Sequence, residues 1–428
     1  MDDRLLAFKI LSKIEHDKAY SNIALDNVLS NNQATSAPFV CNLVYGVIER
    51  KITLDYILSQ FLSQPLKKLN PQVLTVLRMG TYQLKFMDKV PVSAAVNESV
   101  KLVKKAKCAY ASGLVNSVLR KIASAEIKLP ETDDETYNLS IAYSCPQELV
   151  AHYINDYGYE DTKKLLEASV GAVPLVIRVN TLKTNVNDLS KLLKNEGVET
   201  EVSNNFPDAL IINSGNAVFK TDAYKQGLFH AQDFASQICV QQLNPQPNDI
   251  VFDMCASPGG KSFTMAEMMD NKGEIYAFDL YDHRVKLIND GANRLGIDII
   301  KGVVGDSSVY DEDLPLADKI LCDVPCSGLG VIRRKPEIKY KDLGFVDKLC
   351  DLQYNILSCA SKYLKQNGVL VYSTCSLNKK ENQEVCDRFL LSNPEFSKIE
   401  LTDDDGYMTL MPHRNGTDGF FVAKFTKG

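Results

Sequence analysis

The 428-residue sequence contains no stretch near the ~18 consecutive apolar residues that a bilayer span requires, which excludes a membrane-spanning helix. Its opening, Met1-Asp2-Asp3-Arg4, lacks the basic-then-apolar pattern of a signal peptide, so a cytoplasmic location is expected. The cysteines are eleven, an odd number without any C-x-x-C pair, which argues against both a disulfide framework and a zinc ribbon. Most of them, including Cys41, Cys108, Cys239 and Cys359, read as small buried hydrophobes. No internal repeat or low-complexity tract occurs. Neither a Walker A motif nor Gly-x-Gly-x-x-Gly is present, so the two commonest phosphate-binding fingerprints are absent. His16 and His152 have no neighbours that suggest a metal site, and no metal is expected.

What is present is an ordinary globular composition, 45% hydrophobic and 24% charged. The length predicts two to four domains, each large enough to bury a core. A net charge of −6 conceals an asymmetry: residues 1–130 hold 18 basic and 10 acidic side chains, the remainder 30 and 44. Such a split fits a nucleic-acid-contacting module joined to something else, and equally a solvated basic surface with no partner.

Residues 1–130 read as an all-α bundle. Apolar residues recur at helical spacing in 5–11, 39–61 and 73–86, where Asn70-Pro71 supplies a cap and a first-turn proline. Pro91 opens a helix through Lys107, and another runs from Tyr110 to Ala125. Lys101, Lys104, Lys105 and Lys107, with Arg120 and Lys121, gather positive charge suited to RNA phosphates. The acidic stretch 131–135 reads as a linker. Beyond it, residues 140–227 read as a small α/β unit: helices at 145–170, an extended run 174–180, a helix 186–195 and strands at 199–202 and 209–212.

From residue 228 to 428 strands and helices alternate as in a doubly wound parallel sheet. Predicted strands end in or just before an acid: 250–253 at Asp253, 274–278 at Asp279, 301–304 near Asp306 and 319–322 at Asp323, with a further strand at 369–373. Ligands of open α/β sheets bind outside the carboxyl ends of the strands. A tight loop, Cys255-Ala256-Ser257-Pro258-Gly259-Gly260-Lys261, follows the first of them, and Asp279 lies where an acid commonly holds ribose hydroxyls, so an adenosyl ligand is expected.

Two cysteines, in Asp323-Val324-Pro325-Cys326-Ser327-Gly328 and Ser373-Thr374-Cys375-Ser376, fall just beyond strand ends facing the same crevice. Carbon 5 of a pyrimidine is a poor nucleophile. Methylating it needs a thiolate to add at carbon 6 first, an acid to steady the ring at N3, and a base to take the C5 proton. Both thiols and Asp323 are candidates, and the residues alone leave open which thiol attacks.

These motifs together resemble the S-adenosylmethionine-dependent RNA cytosine-5 methyltransferases. The run Leu329-Gly330-Val331-Ile332-Arg333-Arg334-Lys335-Pro336-Glu337-Ile338 and the ending Pro412-His413 with Thr417-Asp418-Gly419-Phe420-Phe421 are most similar to the bacterial 16S rRNA enzymes of the Sun/Fmu type. The resemblance extends to the amino-terminal half, whose helices resemble the NusB antitermination factor, an RNA-binding bundle. It implies a multidomain chain with a NusB-like helical domain, a small α/β unit that positions RNA, and a Rossmann-like methyltransferase domain. It further implies S-adenosyl-L-methionine as cofactor and 16S ribosomal RNA as partner, in a protein taken as a monomer.

DNA cytosine methyltransferases attack with the Cys of their Pro-Cys motif, whereas in the RNA family the nucleophile is the later Cys, here Cys375. Cys326 is then expected to assist proton removal and product release, and Asp323 to contact the cytosine and lie beside the cofactor. By the same resemblance residues Cys255 to Lys261 line the methionine part of the cofactor. Asp279 is expected at the ribose, Asp306 at the adenine and Arg284 nearby. Ser257 and Val324 stand where Ala is more usual, and neither swap removes a reacting group. Arg333, Arg334 and Lys335 are expected to hold the RNA backbone, along with Lys104 and Lys105. His230-Ala231-Gln232-Asp233 resembles the entry motif of the cofactor pocket, or is a packed loop. Two other readings share part of this pattern: an enzyme acting on tRNA or another RNA, and a non-catalytic RNA-binding or antitermination factor.

Overall fold

The structure is a computed structural model that describes residues 2–17, 21, 24–25, 28–29, 34, 36–213 and 216–428, without the side chains of residues 16, 17, 216 and 217. It divides into two compact units, Met1–Gly171 with Ile332–Lys341, and Ala172–Val331 with Asp342–Gly428.

The first unit is helical among its described residues. Its helices include Asp3–Asp17, Pro71–Phe86, Val92–Lys105 and Ser112–Ser124. Asn70 caps its helix through Gln72 N at 2.9 Å, with Pro71 in the first turn, as the sequence predicts. Leu6, Leu43, Val76 and Leu119 lie at 0% exposure in the bundle core. The single helix read over 39–61 is instead two, Ala37–Glu49 and Lys51–Ser59, broken at Arg50 (φ −100°, ψ 13°). A tertiary contact stands at the break, where the amide of Ile52 donates to Ser144 Oγ (2.8 Å).

The acidic stretch 131–135 read as a linker runs into another helix, Glu135–Tyr143, at its last residue. Asp134 caps it by accepting from Tyr137 N at 2.9 Å, and negative charge in a first turn suits the helix dipole. That helix, with Gln147–Tyr157 and Tyr159–Ala168, is part of the first unit; Thr53 Oγ1 donates to Ile141 O at 2.6 Å.

In the second unit four short antiparallel strands, β1 (Leu175–Val179), β2 (Thr200–Val202), β3 (Ala209–Ile212) and β4 (Phe229–Ala231), order as β2-β3-β1-β4. The larger sheet contains β5 (Ile250–Asp253), β6 (Glu274–Asp279), β7 (Ile300–Val304), β8 (Ala317–Asp323), β9 (Leu364–Thr374), β10 (Phe396–Lys398), β11 (Met408–Leu410) and β12 (Phe420–Lys427). Its order is β10-β12-β9-β8-β5-β6-β7, with β11 on β12. Strands β5 to β9 pair in parallel, as the alternation predicts. The carboxyl-terminal β12 departs from an all-parallel sheet: it runs antiparallel to β9 and separates it from β10. Val251 and Phe252 are both fully buried on opposite faces, which is why β5 reads as a continuous apolar run. Strand order reverses between β5 and β8, the place at which open α/β sheets bind ligands at the carboxyl edge.

Candidate active site

The β5 loop is shaped by backbone bonds to its neighbours. Met254 N donates to Leu321 O (2.9 Å), Ala256 N to Phe278 O (2.8 Å) and Gly259 N to Ala256 O (2.7 Å). Gly259 sits at φ +108°, and a Cβ there would lie 2.4 Å from the Phe263 ring, so only glycine fits. The helix Gly260–Met268 follows without a side-chain cap, which leaves first-turn N–H groups and the positive end of the dipole for an anionic ligand group.

Acids ring this loop. Burial first, then the charges of Asp253, Asp323, Asp279 and Asp306, push the Cys255 thiol well above its ordinary pKa. Asp279 is buried at the end of β6, 3.6 Å from the exposed Arg284. Asp306 is exposed two residues beyond β7, and the Ser308 hydroxyl and amide lower its pKa. Asp253 is buried. Its Oδ2 accepts from Ser262 Oγ at 2.6 Å, its Oδ1 has no hydrogen-bond partner, and burial raises its pKa to about 7.

Asp323 ends β8 in an ion pair with Lys261 (2.7 Å) and accepts from Ser373 Oγ (2.9 Å). Burial opposes the charge on Lys261, but Asp323, Cys239 and Asp253 outweigh it and hold the ammonium protonated above the usual lysine range. The two predicted thiols meet: Cys326 Sγ lies 3.1 Å from Cys375 Sγ. The hydrogen bond to Cys375, then burial, then the charges of Glu381 and Asp323 keep Cys326 well above the ordinary thiol pKa, hence protonated.

The glycines of the later motifs press these loops together. Gly330 N donates to Cys375 O (2.9 Å) and Gly419 N to Gly330 O (2.9 Å). A Cβ on Gly330 would stand 1.9 Å from Gly419 O. Phe420, next along, presents its ring 5.3 Å from Lys261 Nζ.

His230-Ala231-Gln232-Asp233 holds the loop from below. Gln232 Nε2 donates to Gly260 O (3.0 Å) and its Oε1 accepts from Thr264 Oγ1 (2.8 Å), while Asp233 accepts from Asp418 N (3.2 Å). His230 is buried with Nε2 3.2 Å from Glu267, which also takes Arg178 Nε at 2.7 Å. This cluster of Arg178, His230 and Glu267 has no local sequence signal, because its members lie on β1, β4 and a helix.

The expected RNA-contacting residues belong to the first unit. Lys104 and Lys105 are exposed on the helix Val92–Lys105, Lys105 paired with Asp2 at 2.8 Å. Arg333, Arg334 and Lys335 belong to the first unit; the two arginines are half-buried and bonded within the protein, and Lys335 is exposed. Their segment is anchored by Tyr340 OH to Ile48 O (2.9 Å) and Lys339 Nζ to Glu49 O (2.8 Å). His152 pairs with Asp156 at 3.4 Å, and the side chain of His16 lies outside the described residues. Of the cysteines read as core, Cys108, Cys239 and Cys359 are buried, whereas Cys41 is only half-buried, near the start of its helix. Among the described residues no helix is long and apolar enough to cross a membrane.

A doubly wound sheet with a glycine loop and acids on its carboxyl edge, and two thiols beside them, defines the class of Rossmann-fold methyltransferases. Comparison with known proteins agrees. The family model described as 16S rRNA methyltransferase RsmB/F matches residues 240–426, the NusB family model matches 1–124, and an RsmF/B-like ferredoxin-like domain matches 145–219. The probable ribosomal RNA small subunit methyltransferase B of Bacillus subtilis is 34% identical, over 99% of this chain and 98% of its own. That of Synechocystis is 33% identical, over 99% of each. Among solved structures, that of PH0851 superposes with a TM-score of 0.83 at 27% identity, covering 100% of this chain and 99% of its own. NSun6 from Pyrococcus horikoshii with SFG gives 0.59 at 25% identity, covering 66% of this chain and 98% of its own. The chain belongs to the RsmB/F family of 16S rRNA methyltransferases.

Proposed function

We propose that this chain transfers a methyl group from S-adenosyl-L-methionine to C5 of a cytosine in 16S ribosomal RNA through a covalent adduct with Cys375. The observation that carries the reading is the 3.1 Å approach of Cys326 and Cys375 beside the Asp323–Lys261 pair. The β5 loop suits the cofactor: the uncapped helix start and Lys261 receive its carboxylate, Asp279 its ribose hydroxyls and Asp306 its adenine. When bound, the cofactor supplies an electrophilic methyl group.

The protein's part is to make C5 nucleophilic and then restore aromaticity. Cys375, as thiolate hydrogen-bonded by the Cys326 thiol, adds to C6, and the displaced electron pair makes C5 the attacking carbon. Asp323, fixed by Lys261 and Ser373, accepts from the cytosine edge and orients the ring. After methylation the Cys326 S–H gives its proton to the departing Cys375 sulfur as the C6–S bond breaks, and the C5 proton passes to Cys326 while the C5–H electrons form the C5–C6 double bond. The target base leaves any stack to reach this edge. Lys104, Lys105 and Arg333 to Lys335 are proposed to contact the RNA backbone.

The test is transfer of labelled methyl groups to unmodified 16S rRNA and bulk tRNA. Label as 5-methylcytosine in the rRNA alone is expected, abolished in Cys375→Ala. In Cys326→Ala a protein–RNA adduct resistant to denaturing electrophoresis is expected to accumulate. Label in tRNA only would overturn the substrate, and a fully active Cys375→Ala would overturn the thiol assignment.

A further inference from the structure

Both thiol loops rest on one buried carboxylate that the chemistry above does not use. Glu381 is 0% exposed, yet it lies in a stretch, Lys379-Lys380-Glu381-Asn382, that reads as a charged surface turn. Its Oε1 accepts from the Ser327 amide (2.7 Å) and Gln353 Nε2 (3.1 Å). Its Oε2 accepts from Ser327 Oγ (2.5 Å) and Ser376 Oγ (2.7 Å), and the two hydroxyls lie 2.9 Å apart. Ser327 follows Cys326, and Ser376 follows Cys375. Gln353, also 0% exposed, donates in addition to Pro325 O (2.9 Å), on the other side of Cys326. Asn382 completes the set on the Cys375 side, accepting from Thr374 Oγ1 (2.6 Å) and donating to Ser376 O (2.9 Å).

Every residue flanking either thiol is therefore held by Gln353, Glu381 or Asn382. Burying a carboxylate is costly unless donors satisfy it, and four donors do so here. Such a group is far more expensive than an apolar residue if packing alone is needed.

We propose that Glu381 is the positioning residue of the thiol pair: its carboxylate clamps the Cys326 and Cys375 loops together and sets the separation of the two thiols. This rests on the two-thiol reading above and deepens it. A neutral or shorter side chain cannot accept from Ser327 N, Ser327 Oγ and Ser376 Oγ together. Its negative charge, with those of Cys375 and Asp323, also disfavours a thiolate at Cys326. Lys261 is paired to Asp323, and Lys380, next to Glu381 in the chain, to Asp347.

The experiment compares full-length wild type with Glu381→Gln, which keeps the volume and removes the charge. The pH dependence of iodoacetamide alkylation is read separately at Cys326 and Cys375 by peptide mass, with no RNA present. The Cys326 midpoint is expected to fall by about one pH unit in Glu381→Gln, since removing a buried like charge typically moves a pKa by about that much. The single-turnover methyl-transfer rate is expected to fall by about tenfold or more, with the KM for RNA and the affinity for S-adenosylmethionine unchanged. If Glu381→Gln does not fold, Ser376→Ala and Gln353→Ala each remove one donor, and a smaller loss in the same transfer rate is expected. An unchanged Cys326 midpoint with a transfer rate within twofold of wild type overturns the proposal. A wild type that methylates no RNA defeats the proposed substrate instead, and the alkylation profiles then decide the role of Glu381 independently.

Discussion

At the carboxyl edge of the larger sheet the candidate groups are fastened: Asp323 by Lys261 and Ser373, Cys326 against Cys375, Asp253 by Ser262. On the helix Val92–Lys105 the candidate lysines stand in solvent, and Lys105 makes a surface pair with Asp2. The difference follows from what each surface has to do. Bond-making needs fixed geometry, so side chains are immobilised in a low-dielectric setting where each partner matters. Attraction to a polyanion needs only charge density, and exposed pairs contribute little to stability.

The largest effect is expected from breaking the half-buried Lys261–Asp323 pair. Lys261→Met leaves Asp323 without its cation. Methyl transfer is expected to fall at least about a hundredfold, with weakened cofactor binding by calorimetry. A variant with normal kinetics would show the pair to be surface-like.

Gly330→Ala comes next. The new Cβ would fall 1.9 Å from Gly419 O and 2.8 Å from Cys375 O, both backbone, so strands must shift. A loss of about 3 kcal/mol in guanidinium unfolding is expected. Gly113→Ala, where nothing lies within 4 Å of the Cβ, is the control in the helical unit.

A third test uses pH. The folded pKa of Asp253 is raised to about 7 from 3.8, so the unfolded chain ionises first as pH rises. Stability from this group is complete below about pH 4, declines between about 4 and 7, and is flat above. Asp253→Asn removes that decline. Its advantage over wild type in urea unfolding is expected to grow by about 3 kcal/mol between pH 5 and pH 8. A constant difference would mean that the buried carboxyl does not titrate in this range.

The smallest effect belongs to the helix face. Lys104→Gln with Lys105→Gln is expected to weaken RNA binding by a few-fold and to reduce the slope of log affinity against log salt by about 0.7–0.9 for each phosphate that is no longer neutralised. Cofactor affinity should not change. An effect as large as that of Lys261→Met would erase the contrast between the two regions.

Much of this was written locally. The strand bounds 250–253 and 209–212 and the helix 186–195 coincide with the observed elements, because apolar alternation, turns and caps act over a few residues. The acids of the sheet edge were legible as strand-end residues, and the two thiols as Pro-Cys and Thr-Cys motifs. Other features were not. The break at Arg50 coincides with a bond from Ile52 to Ser144, 92 residues away. The first turn at Glu135 looked like a linker because capping acids and linker acids share a composition.

By itself the sequence determined the elements, the chemistry available and the side of the sheet on which it gathers, since these follow from period, propensity and residue type. Tertiary structure alone decided that β12 enters antiparallel between β9 and β10, that Ile332–Lys341 belongs to the helical unit, and that Glu381 is buried under both thiols. Each depends on partners distant in the chain. A carboxylate in a Lys-Lys-Glu-Asn turn becomes an interior group only when Ser327, Gln353 and Ser376 converge on it, and no local pattern encodes that convergence.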